Sequence, residues 1–162
     1  MNLKEIEEPN VYKVVGYLDA IGDVIRTGEL KWSFEARLFE YEGTFSDIQS
    51  LIKDAYPDSK PELANITEGT IRDLAETFKH ELARWLTETE FLRMLTPVTE
   101  MRGKMWDYLN ACVDLEHSRV FEYFTHQPLD SFGAGGIVGN IAAVILNEDQ
   151  KRCLLLSGGD CD

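Results

Sequence analysis

The stretch LKWSFEARL, residues 30–38, alternates between apolar and polar side chains at every position. A period of two is typical of a β-strand that buries one face of a sheet. The pattern therefore predicts a sheet with one buried face and a second face that meets water or a partner. The buried side is formed by Leu30, Trp32, Phe34, Ala36 and Leu38, and the polar side by Lys31, Ser33, Glu35 and Arg37.

A β-hairpin is predicted near the C-terminus, over about 137–157. There the sequence NIAAVILNEDQKRCLLLSGG places two apolar runs around a polar turn. The glycines of the preceding SFGAGG lack the G-x-G-x-x-G spacing of a dinucleotide-binding turn, and no GKS or GKT follows them. We interpret them as a mobile lead-in to the hairpin. The final SGGDCD is interpreted as a frayed tail, with an acidic finger that enters a partner's cleft as the alternative.

The other patterns predict a further strand and several helices. Residues 11–20, VYKVVGYLDA, are rich in β-branched and aromatic residues and are predicted to form a strand. Helices are predicted to begin at Thr44, at Thr70 and at Thr96 with Pro97 in its first turn. Residues 57–69 are predicted to form a loop. Residues 117–125 fit either a helix or a strand.

Together these elements predict one α+β domain over residues 1–162. Its mainly antiparallel sheet combines N-terminal strands, within residues 11–41, with the C-terminal hairpin. A central group of helices, from 44 to 116, covers the apolar face of the sheet.

Acidic residues dominate the composition, with 29 Asp and Glu against 16 Lys and Arg and a formal net charge of −13. No run of Lys or Arg is longer than two, so neither nucleic acid nor an anionic membrane is an expected partner. A strongly negative field favours encounter with cationic proteins. The N-terminus lacks the pattern of a secretory signal, and the three cysteines lack zinc or disulfide spacing, which favours a cytoplasmic setting.

One set of residues suggests a metal site. Asp73, Glu76 and His80 are three and four residues apart on a predicted helix, and Asp114 with His117 could add ligands from the next helix. Polar residues are what the wet side of an amphipathic helix is expected to carry, and we favour that interpretation over a metal site. No serine or cysteine nucleophile is placed beside a base, and no cofactor is predicted.

The sequence therefore predicts a binding protein more readily than an enzyme. The specific hypothesis is an immunity-type inhibitor that covers the positive cleft of a cationic, nuclease-like toxin. The alternatives are a metal-dependent enzyme that uses the helical carboxylate and histidine residues, and a non-catalytic subunit of a larger assembly. The oligomeric state stays open. The residues predicted to bind the partner are Glu35, Glu40, Glu42, Asp160 and Asp162.

Overall fold

The computed structural model describes residues 2–24, 31–57, 63–83, 104–125 and 137–161. Within these residues, six strands form one sheet in the order β1-β2-β6-β5-β4-β3, and every neighbouring pair is antiparallel. The predicted α+β class is therefore confirmed. The strands are β1 Asn2–Glu5, β2 Lys31–Glu42, β3 Leu63–Gly69, β4 Arg119–Thr125, β5 Ile137–Asn147 and β6 Arg152–Cys161. The helices are α1 Pro9–Val24, α2 Ile48–Ala55, α3 Ile71–Ala83 and α4 at residues 104–112, with a 3-10 turn at Leu115–His117.

The C-terminal hairpin is confirmed as β5 and β6. Val144 pairs with Leu155, and residues 148–151 make the turn. Lys151 closes that turn with a φ of 54°, in the left-handed region. Because β6 also pairs with β2 along nearly its whole length, the hairpin occupies the centre of the sheet.

Helices pack on both faces of the sheet and create two apolar cores. On the first face, α1, α3 and α4 pack on side chains such as Phe34, Leu38 and Ile145. On the second face, α2 packs on Phe39, Tyr41 and their neighbours in the other strands. The second face is therefore not open to water where α2 lies, in contrast to the expectation from the alternating pattern of β2.

The strand predicted over residues 11–20 is wrong, because this segment belongs to helix α1. Val11, Val14 and Leu18 are all buried and lie three and four residues apart, which is the spacing of one helix face. Several β-branched residues suggested a strand. The contact of this helical face with the sheet overrides that local preference.

Residues 63–69 form the edge strand β3, so the loop predicted over 57–69 is wrong for that part. Asn65 has a φ of 53°, and the register with β4 is irregular between Ala64 and Thr67. An edge strand tolerates such an irregularity and its polar residues because one side has no strand to pair with. Residues 119–125, which fitted a helix or a strand, form β4.

Helix α2 begins three residues later than predicted. Its N-cap is Asp47 rather than Thr44, and the Asp47 carboxylate accepts a hydrogen bond of 2.8 Å from the Ser50 amide. The predicted helix start at Thr96 and the glycine-rich segment 131–136 lie outside the described residues. No helix in the described part of the chain combines the length and apolar character needed to cross a lipid bilayer.

The C-terminal tail is strand through Cys161, so the prediction of a frayed tail is wrong for this part. Ser157 pairs with both Glu35 of β2 and Ala142 of β5. Gly158 faces the Phe34 ring so closely that a Cβ atom there would collide with it. Packing against Phe34 thus requires that residue 158, in the tail predicted to be frayed, has no side chain.

Candidate partner-binding surface

The turn of the β5–β6 hairpin is held to the loop that follows α4. The Asn147 side chain is buried; its amide nitrogen donates to the Asp114 carbonyl at 3.2 Å, and its oxygen accepts from the Gln150 amide at 2.8 Å. The Gln150 side chain in turn accepts from the Asp114 amide at 3.2 Å. Because both partners of Asn147 are backbone groups, the turn and the loop are fixed relative to each other.

Six carboxylates meet at this end of the sheet. The end of β2 lies beside the start of β6, where Glu40 pairs with Arg152, and the Tyr41 amide donates to the Lys151 carbonyl at 3.0 Å. The turn and the loop after α4 add their own acidic residues. We call the six the hairpin-end carboxylates: Glu40, Glu42, Asp114, Glu116, Glu148 and Asp149.

Part of this charge is neutralised locally. Arg119 contacts Glu148 at 2.9 Å and Glu68 at 2.8 Å, and Arg152 contacts Glu40 at 3.2 Å. The His117 ring nitrogen Nδ1 lies 2.7 Å from the Asp114 carboxylate.

The remaining three hairpin-end carboxylates have no such compensation. Glu42, Glu116 and Asp149 are exposed and form no ion pair with any residue in the described part of the chain. Their charge is therefore available to act on an approaching molecule.

The hairpin-end carboxylates shift the pKa values of neighbouring groups. The pKa of His117 is raised, chiefly by the hydrogen bond and charge of Asp114, with further contributions from Glu116 and Asp149. The pKa of Asp114 is lowered in turn, chiefly by the same hydrogen bond. Burial raises the pKa of the Tyr41 hydroxyl, and the charges of Glu148 and Asp149 raise it further.

A shallow cleft of about 320 Å³ lies within this region. Glu40 and Glu42 line it together with Tyr41, Gln150 and Lys151. The Lys151 ammonium lies 5.4 Å from the centre of the Tyr41 ring, within the range of a cation–π contact. Lys4 also lines the cleft and Tyr41 is only 3% exposed, so the acidic character of this region comes from the exposed carboxylates around the cleft.

The structure separates the five residues predicted to bind a partner. Glu40 and Glu42 lie together at the hairpin end. The Glu35 side chain is only 18% exposed and its carboxylate is 3.9 Å from Arg37, because the second face of the sheet is covered in this region. Asp160 is in β6, eight residues from Arg152 and so roughly 26 Å along the strand from the hairpin end. Asp162 lies outside the described residues.

Four of the hairpin-end carboxylates were missing from the predicted partner-binding set. Glu148 and Asp149 belong to the NEDQ turn, whose polarity indicated only a change of chain direction. Asp114 and Glu116 approach that turn through the hydrogen bonds of Asn147 and Gln150. The polar NEDQ turn is the sequence signal that could have identified Glu148 and Asp149, because charged groups in such a turn are exposed.

The residues of the metal hypothesis do not form a cluster. The Asp73 carboxylate accepts a hydrogen bond of 2.7 Å from the Thr70 amide at the start of α3, as a helix-capping residue does. Glu76 and His80 are exposed on α3, whereas Asp114 and His117 pair with each other elsewhere. Among the described residues, no three His, Cys, Asp or Glu side chains are grouped so that they could hold a metal ion.

Two of the cysteines are structural. Cys112 and Cys153 are buried as free thiols, and burial raises the pKa of each to about 12. Such thiols stay protonated at neutral pH and are poor nucleophiles.

Comparison with known proteins identifies the fold. Two crystal forms of citrus MAF1 are similar to this chain, with TM-scores of 0.59 and 0.58 at 14% and 10% sequence identity. The fold resembles that of citrus MAF1. The similarity covers 90% of this chain and 97% of the first MAF1 chain, and 91% and 98% for the second. It therefore spans most of this chain. No protein-family model matches the sequence, and no curated protein does.

Proposed function

We propose that this chain is a binding module for a cationic protein and that the partner first meets the hairpin-end carboxylates. The observation that carries the proposal is the group of Glu42, Glu116 and Asp149, three exposed carboxylates without an ion-pair partner among the described residues. They come from three separate segments that lie at the same end of the sheet.

Electrostatic attraction of this kind acts mainly on the rate of encounter. A negative surface steers a positive partner into register before short-range contacts form. The net charge of −13 adds a long-range field of the same sign. The proposal therefore concerns how the complex forms, and the affinity depends also on apolar contacts.

A specific form of the proposal is an immunity-type inhibitor of a nuclease-like toxin. The active cleft of such a toxin is positive because it binds nucleic acid, so acidic groups are complementary to it. The hairpin turn supports this form because it projects carboxylates from the end of the sheet, where they can enter a concave surface.

The test begins with partners captured from the native host at low salt, identified and then produced in pure form. We expect the association rate of the true partner to fall steeply as salt rises from about 0.05 to 0.5 M, since the Debye length shrinks from roughly 14 to 4 Å. The dissociation rate should change much less. An association rate that does not depend on salt would contradict the proposal.

A further inference from the structure

A second cleft, also of about 320 Å³, lies between the β1–α1 connection and β2. Its apolar floor is formed by Val11, Ala36 and Leu38, which are 7%, 8% and 0% exposed. The floor belongs to the first core of the sheet, so its position is fixed by packing. We call this cavity the α1 cleft.

Three glutamates line the α1 cleft, and their charges are only partly balanced. Glu5 is held by Arg37 through two hydrogen bonds of 2.9 and 2.6 Å. Glu8 lies 3.5 Å from Arg152. Glu7 is exposed and has no ion pair within the ranges that the structure describes.

An aromatic side chain completes the cleft. Tyr12 lines it and is 62% exposed, so its ring is accessible from solvent. Cations already lie over aromatic rings elsewhere in the chain: Lys13 lies 4.9 Å from the centre of the Tyr108 ring. The exposed Tyr12 ring offers the same contact to a cation from outside.

We infer that the α1 cleft receives a basic side chain of the partner protein, and arginine in preference to lysine. The apolar floor suits the methylene stem of such a side chain, and the glutamates suit its charged end. A guanidinium can both stack on the Tyr12 ring and bond a carboxylate with two N–H groups, whereas an ammonium cannot. This inference rests on the proposed function for the nature of the partner, but it concerns a different surface.

The test uses blocked tripeptides in an NMR titration of the ¹⁵N-labelled protein. The probe is acetyl-Gly-Arg-Gly-amide, and the control replaces arginine with citrulline, which has nearly the same shape and no charge. We expect the arginine peptide to shift the amide signals of residues 5–8, 11–12 and 36–38. The citrulline peptide should shift them much less at the same concentration.

Variants then test the contributions of Glu7 and Tyr12 to binding in the α1 cleft. Glu7→Gln and Tyr12→Ala should each weaken binding of the arginine peptide about two- to fivefold, whereas Tyr12→Phe should keep it because the ring remains. Asp54→Asn is the matched control for Glu7→Gln, since it removes one exposed charge outside the cleft and should leave binding unchanged. The thermal transition of each variant confirms that the fold is intact.

The inference is overturned if the α1 cleft signals do not move, if citrulline moves them equally, or if Glu7→Gln and Asp54→Asn weaken binding alike. The proposed function fails separately, through a salt-independent association rate of the whole partner. If association with the partner depends on salt but the amide signals of the α1 cleft do not shift, the chain is still a binding module. In that case the α1 cleft does not contact the partner.

Discussion

Arg37 is a single residue that joins three elements of the fold. From β2 it donates to the Glu5 carboxylate at the end of β1, and to the Ala55 carbonyl of α2 at 2.8 Å. Its guanidinium also lies 5.0 Å from the ring centres of Phe39 and Tyr56. The partly buried charge of Arg37 is thus satisfied by hydrogen bonds and by aromatic faces.

The pair of Arg37 and Glu5 predicts a stability that depends on pH. Arg37 lowers the pKa of Glu5, chiefly through its hydrogen bonds, against a smaller opposing effect of burial. A carboxyl whose pKa is lower in the folded state stabilises the fold above its unfolded pKa. That contribution is lost as the pH falls through the folded pKa.

We therefore expect Glu5→Gln to lower the free energy of unfolding at neutral pH by about 0.5–1 kcal/mol, a modest value because the pair is partly exposed. The difference from the unaltered chain should disappear in acid, below the lowered pKa of Glu5. Thermal unfolding of both proteins across this pH range measures it. A difference that is the same at neutral and acid pH would show that the charge of Glu5 is unimportant. Glu7→Gln serves as the control, since Glu7 forms no ion pair with the described residues.

At the scale of elements, the contact between Gly158 and Phe34 ties β6 to β2. The two residues are opposite each other in the register, and the Phe34 ring occupies the space that a side chain on residue 158 would need. Phe34 is 6% exposed and belongs to the first core, so the ring has little freedom to move aside.

Gly158→Ala should consequently destabilise the fold by about 1–3 kcal/mol through overpacking. Phe34→Leu should relieve part of that cost, so the two changes should couple by at least about 0.5 kcal/mol in a double-mutant cycle of unfolding free energies. Gly16→Ala is the matched control, because a Cβ there meets no atom within 4 Å and a helix gains about 0.5–1 kcal/mol from the change. If the changes in unfolding free energy caused by Gly158→Ala and Phe34→Leu are additive, the two residues do not interact as the structure indicates.

Elements with a strong pattern of their own could be predicted from the sequence. The alternation in β2 and the two apolar runs around NEDQ each indicate their structure locally. For residues 11–20 the β-branched content and the helical spacing of Val11, Val14 and Leu18 disagree, and only packing decides between them. The amphipathic pattern of α2 predicts a buried side but not which face of the sheet it covers. Because α2 covers the second face of the sheet, which carries Glu35, the Glu35 side chain is partly buried.

At the scale of the whole molecule, the strand order creates the candidate site. Placing β6 between β2 and β5 brings Arg152 to Glu40, which are 112 residues apart in sequence. Glu40 and Glu42 could be predicted because they end an evident strand. The convergence of Asp114, Glu116, Glu148 and Asp149 depends on long-range hydrogen bonds that a single sequence does not reveal.

We expect the position of the acidic groups, and not only their number, to direct association with the partner. Two variants separate these effects because each removes two charges: Glu42→Gln with Asp149→Asn at the hairpin end, and Asp54→Asn with Asp107→Asn on α2 and α4. None of the four residues forms an ion pair with the described residues, and all are exposed, so both variants should fold normally.

The decisive measurement is the association rate of the purified partner with the two variants at about 0.05 M salt. We expect the hairpin-end variant to associate several-fold more slowly than the unaltered chain, while the α2 and α4 variant stays within about twofold. Equal slowing in both variants would show that the position of the charges is unimportant, because the net charge alone would then explain the attraction.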